Sequence, residues 1–560
     1  MTRTSSAIWI FCLSASLILI AGCGSNSSTS QNPAPAITSL SPSSVSAGAA
    51  AQTLTITGTG FVSTSAVTYN GVSHAATFAS STQLSISLTA GDQATAGTYA
   101  VVVTNPSPGG GTSNSAPFTV NNLVPSVASL APSSVTAGAV AQSLTITGAN
   151  FVAGSTVTYN GAAHTASFTS STQLSITLSS SDQAKVGTFA VVVTNPSPGG
   201  GASNSRTFTV LSPVVVSDSG DNRVLIYNAA FSTGESAHAV LGQADFTHAD
   251  AALTASGMNG PAGIATDGLG NIYVSDSVNN RVLQFKPPFT NGMSASLVIG
   301  QPDFVTGAGN TTQNGLTGPA GLAFDNSGNL WVVDLDNNRV LEYKPPFANN
   351  MNASVVIGQA DFTSSAFATS ASGLTLPFSV GFDASGDLWV TDGGNSRVLE
   401  FKPPFVNGMA ASLVIGQTDF TSFGTASPPT ASSLSSPVGV AFDSLGNLWV
   451  GDTSNNRVLE FQPTFATGMS ASLVLGQADF TTSAAATTQS GLSSPFEVGF
   501  DSNGNLWVAD FGNSRTLMFS PAFSDGQNAS LVLGQANFTS ATGATTVTGE
   551  NSPFGITAAF

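Results

Sequence analysis

Ionisable side chains are scarce in this chain, so those that break its pattern stand out as candidates for chemistry. Glu497 is the first. It sits two residues after a proline in an element repeated six times, where the other copies have Gly263, Gly321, Ser379, Gly439 and Gly555. A single carboxylate among glycines could hold a cation or a polar ligand near the mouth of a channel; solvation or pairing with an arginine is the plainer alternative. A second candidate is the stretch with His238, Asp245, His248, Asp250 and Met258. His248 and Asp250 are close enough in sequence to share a ligand. A catalytic zinc needs three preorganised protein ligands, so no metal and no cofactor is expected there. His74 and His164 follow equivalent Tyr-Asn-Gly turns, one imidazole per copy, and are expected to be solvated turn residues. No nucleophile with a base at a telling spacing is present and no Gly-rich loop opens a helix, so no catalytic residue is assigned.

Other charges recur too regularly to be a site. Asp-x-x-x-(Asn/Ser)-Arg occurs six times, as Asp218 with Arg223, Asp276 with Arg281, Asp334 with Arg339, Asp392 with Arg397, Asp452 with Arg457 and Asp510 with Arg515. A carboxylate and a guanidinium brought together across a tight turn can form a forked pair. Six equal copies argue for structure, because a ligand site rarely needs that many. The same reasoning covers Gly-Gln-x-(Asp/Asn)-Phe, at 242–246, 300–304, 358–362, 416–420, 476–480 and 534–538. Its Gln and Asp are expected to satisfy backbone groups and its Phe to plug a junction. Six calcium sites are the rival, but Asp-x-x-Gly-(Asn/Asp) turns lack the bidentate glutamate and the ligand count that calcium prefers.

The elements that position these residues follow from the same period. The six arginines are 58 residues apart, with one step of 60, which marks one unit copied around a ring or along a row. Each copy reads as four short strands, in the second copy Gly263 to Thr266, Asn271 to Ser275, Arg281 to Phe285 and Ser296 to Ile299. Both faces of each sheet are apolar, so neighbours must stack, and a closed ring leaves no exposed end. Val214 to Ser217 matches a second strand and Pro553 to Thr557 a first strand, so the last residues should complete the first blade of a six-bladed propeller. An open solenoid would not need complementary half-blades. The connections from fourth to first strand, 14 residues or 16 at 421–436, are long, polar and all on one face, which is where binding is expected.

Before the ring, residues 36–120 and 124–210 are two copies of a second unit. Alternating runs such as Leu54 to Thr57 and Tyr99 to Val103, bounded by Gly, Pro, Asn and Ser, indicate small antiparallel sandwiches. The fold class is therefore all-β: two tandem immunoglobulin-like sandwiches, then a six-bladed propeller at 213–560. Lys+Arg number 12 against 29 Asp+Glu, a net charge of −17, and no basic stripe exists for a phosphate backbone, so nucleic acid is excluded as a partner. Residues 1–22 combine Arg3, an apolar run and small residues, the form of an export signal. Residues 23–35 are a Ser/Asn/Gly/Pro-rich tether.

Three resemblances sharpen this. Ile20-Ala21-Gly22-Cys23 resembles the bacterial lipobox, which implies lipidation of Cys23, membrane attachment through the lipid and, with Gly24 and Ser25 following, an outer-membrane preference. Leu-Thr-Ile-Thr-Gly-x-(Gly/Asn)-Phe, at 54–61 and 144–151, resembles the IPT/TIG group of immunoglobulin-like domains, which implies spacer or adhesion modules. Gly-x-(Ile/Val/Leu)-Ala-x-Asp, Gly-Asn-(Leu/Ile)-(Trp/Tyr)-Val-x-Asp and Asn-Arg-Val-Leu look like the NHL repeat. Proteins with that repeat include ligand-sensing ectodomains, binding scaffolds and metal-dependent lyases and lactonases. The enzymes of that group use several histidines or acids converging on the pore, a pattern this chain lacks in most blades. The expectation is a monomeric, lipid-anchored binding or scaffold protein whose propeller engages a protein or glycan. A channel-centred metal hydrolase or lyase and a sandwich-based adhesin are the alternatives.

Overall fold

The computed structural model describes residues 30–558. Cys23 and the signal segment lie outside the described residues. The chain divides into two units: one ends at Pro125 and takes in Thr194–Ala202, the other comprises Ser126–Val193 and Ser203 onward. Among the described residues no helix is long and apolar enough to cross a membrane.

In the first unit, two sheets face each other. One has the strand order Ala36–Ser41, Gln52–Thr59, Gln83–Leu88, Thr77–Ser80; the other is built on Ala116–Asn121, Gly97–Asn105 and Ala66–Tyr69. Alternation places Leu54, Ile56, Leu84, Ile86, Val101 and Val103 inside and the intervening Thr and Ser outside. The strands from Ser126 to Leu211 repeat the arrangement in chain order. His74 and His164 differ from expectation. Each ends a short strand, is largely buried and meets a tyrosine edge-on, Tyr69 at 5.8 Å and Tyr159 at 5.7 Å. His164 Nε2 also faces Asp182 at 3.2 Å, so the ring closes a polar contact beneath the turn and is not left to solvent.

The remainder is six four-stranded antiparallel sheets. Blade 2 runs Pro261–Thr266, Ile272–Asp276, Arg281–Phe285, Leu297–Ile299, and blades 3 to 6 follow in sequence. Blade 1 contains Val214–Asp218, Arg223–Tyr227 and Ala239–Leu241, and Pro553–Thr557 supplies its inner strand: Val215 pairs with Thr557 and Val216 with Ile556. The ring is closed by the chain's far end. Aromatic wedges fill the seams, as where Trp331 meets Phe382 at 5.7 Å and Phe405 at 4.8 Å.

The repeated Asn or Ser before each arginine has a local cause. It takes a left-handed conformation, φ between 49° and 55° at Asn222, Asn280, Asn338, Ser396, Asn456 and Ser514, and Asn tolerates this best. The turn then aims the arginine back at the aspartate. The pair is not a fork: Arg281 Nε alone reaches Asp276 Oδ2, at 2.7 Å, and the same single contact recurs in all six blades. The other guanidinium nitrogens donate to carbonyls, in blade 2 to Phe304 at 2.6 Å, Thr254 at 2.8 Å and Gly257 at 2.9 Å. Asp276 also accepts from the Asn259 amide and from Asn279. Burial raises these carboxyls, Asp334 to about 6, against the lowering pull of Arg339 and the hydrogen bonds. Each pair therefore pins the long loop on either side of its blade. Breaking such a buried pair typically costs about 3–5 kcal/mol.

Candidate functional site

Every inner strand carries a bulge just after its proline, in blade 6 between Pro495 and Val498. An extra residue there re-aims the side chain two positions after the proline. At most blades this residue must be glycine because the inner strands converge: a Cβ on Gly439 would lie 2.4 Å from the Phe496 carbonyl oxygen, and one on Gly321 2.5 Å from Ser379 Cα. Ser379 and Glu497 fill the space the glycines leave. Ser379 Oγ donates to Glu497 Oε1 at 3.1 Å, across the intervening blade 5. Glu497 is neither solvated nor paired with an arginine. It is 8% exposed, and burial pushes its carboxyl up to about 7, opposed by hydrogen bonds from Ser379 and the amides of Val440 and Val498.

Below this bridge the inner strands enclose a cavity of about 290 Å³. Its walls come from residues at or beyond the bridge level, such as Ile264, Leu322, Val440 and Phe500, so it runs away from the long loops. Among the described residues Glu497 is the only His, Cys, Asp or Glu in the lining. The channel carboxylate and the loop-bearing face are thus separate places.

On the loop-bearing face, the Gly-Gln-x-(Asp/Asn)-Phe element acts as the loop's inner brace. Gln243 Nε2 donates to the carbonyls of Asn222 (3.0 Å) and Asp250 (2.9 Å), and Asp245 caps Thr247. His248 Nδ1 lies 2.8 Å from Asp245 Oδ1, and its pKa is raised by that contact. The two residues named together in the sequence do not join: His248 pairs with Asp245, while Asp250 is exposed and holds Gln243 through its backbone. The loops themselves present Phe367 (68% exposed) and Phe423 (63%), one in each of two consecutive loops. Closer to the axis, Phe496 stacks on Phe511 with centroids 4.2 Å apart and meets Phe554 edge-on at 4.8 Å.

Two residues escaped the sequence reading. Glu550 is fully buried where the other seams have Met258, Leu316, Leu374, Leu434 and Leu492, and it accepts from Tyr227 Oη (3.1 Å) and Thr516 Oγ1 (2.9 Å). The signal was available as a break at a hydrophobic repeat position. Asp387 replaces the asparagine of the other Asp-x-x-Gly turns and gathers with Asp383 and Glu400, but Lys402 already meets two of the three, each at 3.3 Å. In the remaining turns the aspartate is engaged internally: Asp443 accepts from Leu445, Asn447 and Trp449.

The IPT/TIG domain family model matches residues 35–120 and 125–210, and that of the NHL repeat matches residues 258–285, 316–343 and 434–461. The chain carries two IPT/TIG domains and an NHL-repeat propeller. No curated protein matches the sequence. Among solved structures, a virginiamycin B lyase from Staphylococcus aureus is 12% identical over 56% of this chain and 82% of its own, with a TM-score of 0.30. An auxiliary nutrient binding protein from Bacteroides ovatus is 11% identical over 69% and 96%, TM-score 0.32. A protein of unknown function from Bacteroides caccae is 10% identical over 62% and 98%, TM-score 0.38. Fold membership alone does not choose a function, so the function has to be argued from the protein's own surface.

Proposed function

We propose that this protein is an exported, lipid-anchored binding protein that displays the loop-bearing face of its NHL propeller to a protein or glycan. The observation that carries the reading is the pair Phe367 and Phe423. Large aromatic side chains more than half exposed, in loops rich in Ser, Thr, Ala and Gly, are a cost to an isolated molecule and a gain once covered. The buried Asp–Arg pairs support it, because they hold the loop bases rigid and so reduce the entropy lost on binding. The lipobox-like sequence ending at Cys23 supports the anchor. In the channel, one carboxylate tied to Ser379 among apolar walls offers a metal fewer ligands than catalysis needs, which favours binding over a hydrolase or lyase. The test is to screen the mature chain on glycan and envelope-protein arrays beside a Phe367→Ser/Phe423→Ser variant. Retention of specific binders that the double variant loses by about tenfold or more is expected. Equal retention would refute the loop-face assignment.

A further inference from the structure

The face opposite the long loops bears a repeated cleft at the blade seams, between the Asp-x-x-Gly turn of one blade and the phenylalanine that follows the third strand of the next. The clefts at the seams of blades 2 and 3 and of blades 5 and 6 enclose about 530 and 510 Å³. At the seam of blades 1 and 2, where blade 1 has no Asp-x-x-Gly turn, the place against the third strand and the next blade's phenylalanine is occupied by protein. Ile226, Asn228, His238 and Phe289 stand there at the positions of Glu460, Gln462, Ser472 and Phe523, and the Thr136 to Val140 stretch of the second sandwich lies against them. Thr136 Oγ1 accepts from the Ala229 amide at 3.1 Å, and Gly138 is so close that a Cβ would be 3.0 Å from the Phe289 ring. The third-strand and phenylalanine side of the cleft therefore accepts a turn of small residues.

Charge singles out the seam of blades 5 and 6. In blades 3 and 4 the third-strand glutamate meets a lysine two residues on, Glu342 with Lys344 at 3.4 Å and Glu400 with Lys402 at 3.3 Å. Blade 2 keeps the lysine, Lys286, beside a neutral Gln284, and blade 6 has neither, with Met518 and Ser520. Blade 5 alone keeps the acid without the base: Glu460 is followed by Gln462. Glu460 is 7% exposed and its side chain accepts only from neutral donors, Asn447 Nδ2 at 2.9 Å and Ser472 Oγ at 2.7 Å. Among the described residues no cationic side chain forms an ion pair with it. Beside it Leu445 is 80% exposed, at the turn position where blades 3 and 4 have Ser327 and Ser385. A carboxylate buried without a counter-ion gains a charge-assisted bond from any ammonium that reaches it, and Leu445 with Phe523 would cover an alkyl stem.

We infer that the cleft between blades 5 and 6 binds a lysine-bearing peptide turn, with the ammonium on Glu460 in place of the lysine that its sister blades supply internally. This stands on different residues from the loop-face reading, so either can fail alone. The experiment is calorimetric titration of the mature chain with acetyl-Gly-Lys-Gly-Ala-amide, its norleucine analogue and n-pentylammonium. Saturable binding of the lysine peptide is expected, at least about tenfold tighter than the norleucine peptide. It should also be tighter than pentylammonium, which lacks the backbone. Glu460→Gln should weaken it by about tenfold or more, and Gln462→Lys, which builds in the ion pair of blades 3 and 4, should block it. Both substitutions place residues that sister blades already hold at those positions, so the fold is retained. Absence of binding, equal binding of the norleucine peptide, or binding unchanged in Gln462→Lys overturns the proposal. Pentylammonium binding as tight as the peptide overturns its peptide part and leaves a free-amine site.

Discussion

Replacing Glu550 by leucine should change how the stability of the propeller depends on pH, by an amount that the closing seam sets. Glu550 is fully buried between Tyr227 and Thr516 at the seam where the first and last blades of the ring meet. Burial, with the Asp218 carboxylate next in size, pushes its pKa from 4.5 up to about 8, against the hydrogen bonds from Thr516 and Tyr227. Below pH 4.5 the group is protonated folded and unfolded, and it adds no pH-dependent term. As pH rises from there to 8 the unfolded chain gives up the proton while the folded one retains it, so stability falls; above 8 the loss is complete. A raise from 4.5 to about 8, at about 1.4 kcal/mol per unit, makes that loss on the order of 5 kcal/mol. Glu550→Leu alone strands two buried hydroxyls, each costing about 1–3 kcal/mol, so the single variant should be less stable than the parent at pH 5 and gain on it by pH 9. The triple variant Glu550→Leu/Thr516→Val/Tyr227→Phe rebuilds the seam as the other blades have it and should lose this pH dependence. Chemical denaturation of parent and triple variant at pH 5, 7 and 9 measures it. A stability difference that is the same at all three pH values would refute the reasoning.

Tyr343 lies at the position equivalent to Tyr227 but faces an apolar seam, and its hydroxyl is buried without a partner. Tyr343→Phe, the residue found at Phe285, Phe401, Phe461 and Phe519, should raise stability by about 1 kcal/mol, read as a higher denaturation midpoint at unchanged slope. Removing residues 551–560 takes away the strand Pro553–Thr557 and the buried Ile556, and exposes Val214–Asp218 as an edge. It should cost at least about 3 kcal/mol, seen as a lower thermal midpoint and new proteolytic cleavage in blade 1, and an unchanged midpoint would contradict closure by the chain terminus.

Much of the architecture was legible because it is written six times. A hydrophobic position that recurs at Leu316, Leu374, Leu434 and Leu492, or an Asn-Arg turn in every blade, identifies the strand and its place in the sheet without reference to anything distant. The complementary half-blades at Val214 and Pro553 disclosed the ring closure for the same reason. What periodicity could not disclose was the partner of each exception. Glu497 was visible as a break in a glycine column, yet that Ser379, from a blade two away, would cap it depends on how far the inner strands converge. His248 and Asp250 looked like a pair by sequence distance, but His248 makes its direct contact with Asp245, and Asp250 accepts from Gln243 through its backbone carbonyl.

From the sequence alone come the all-β class, the two sandwiches, the number of blades and a pattern break such as Glu497, because each depends on spacing along the chain and on local turn chemistry. The tertiary structure alone decides which exceptions are neutralised. Lys402 silences one acidic cluster, Tyr227 and Thr516 enclose Glu550, and Glu460 is left without a counter-ion. For Glu550 that outcome depends on Tyr227 and Thr516 reaching it from two different blades, and contacts between residues so far apart in the chain carry no signature in the order of residues.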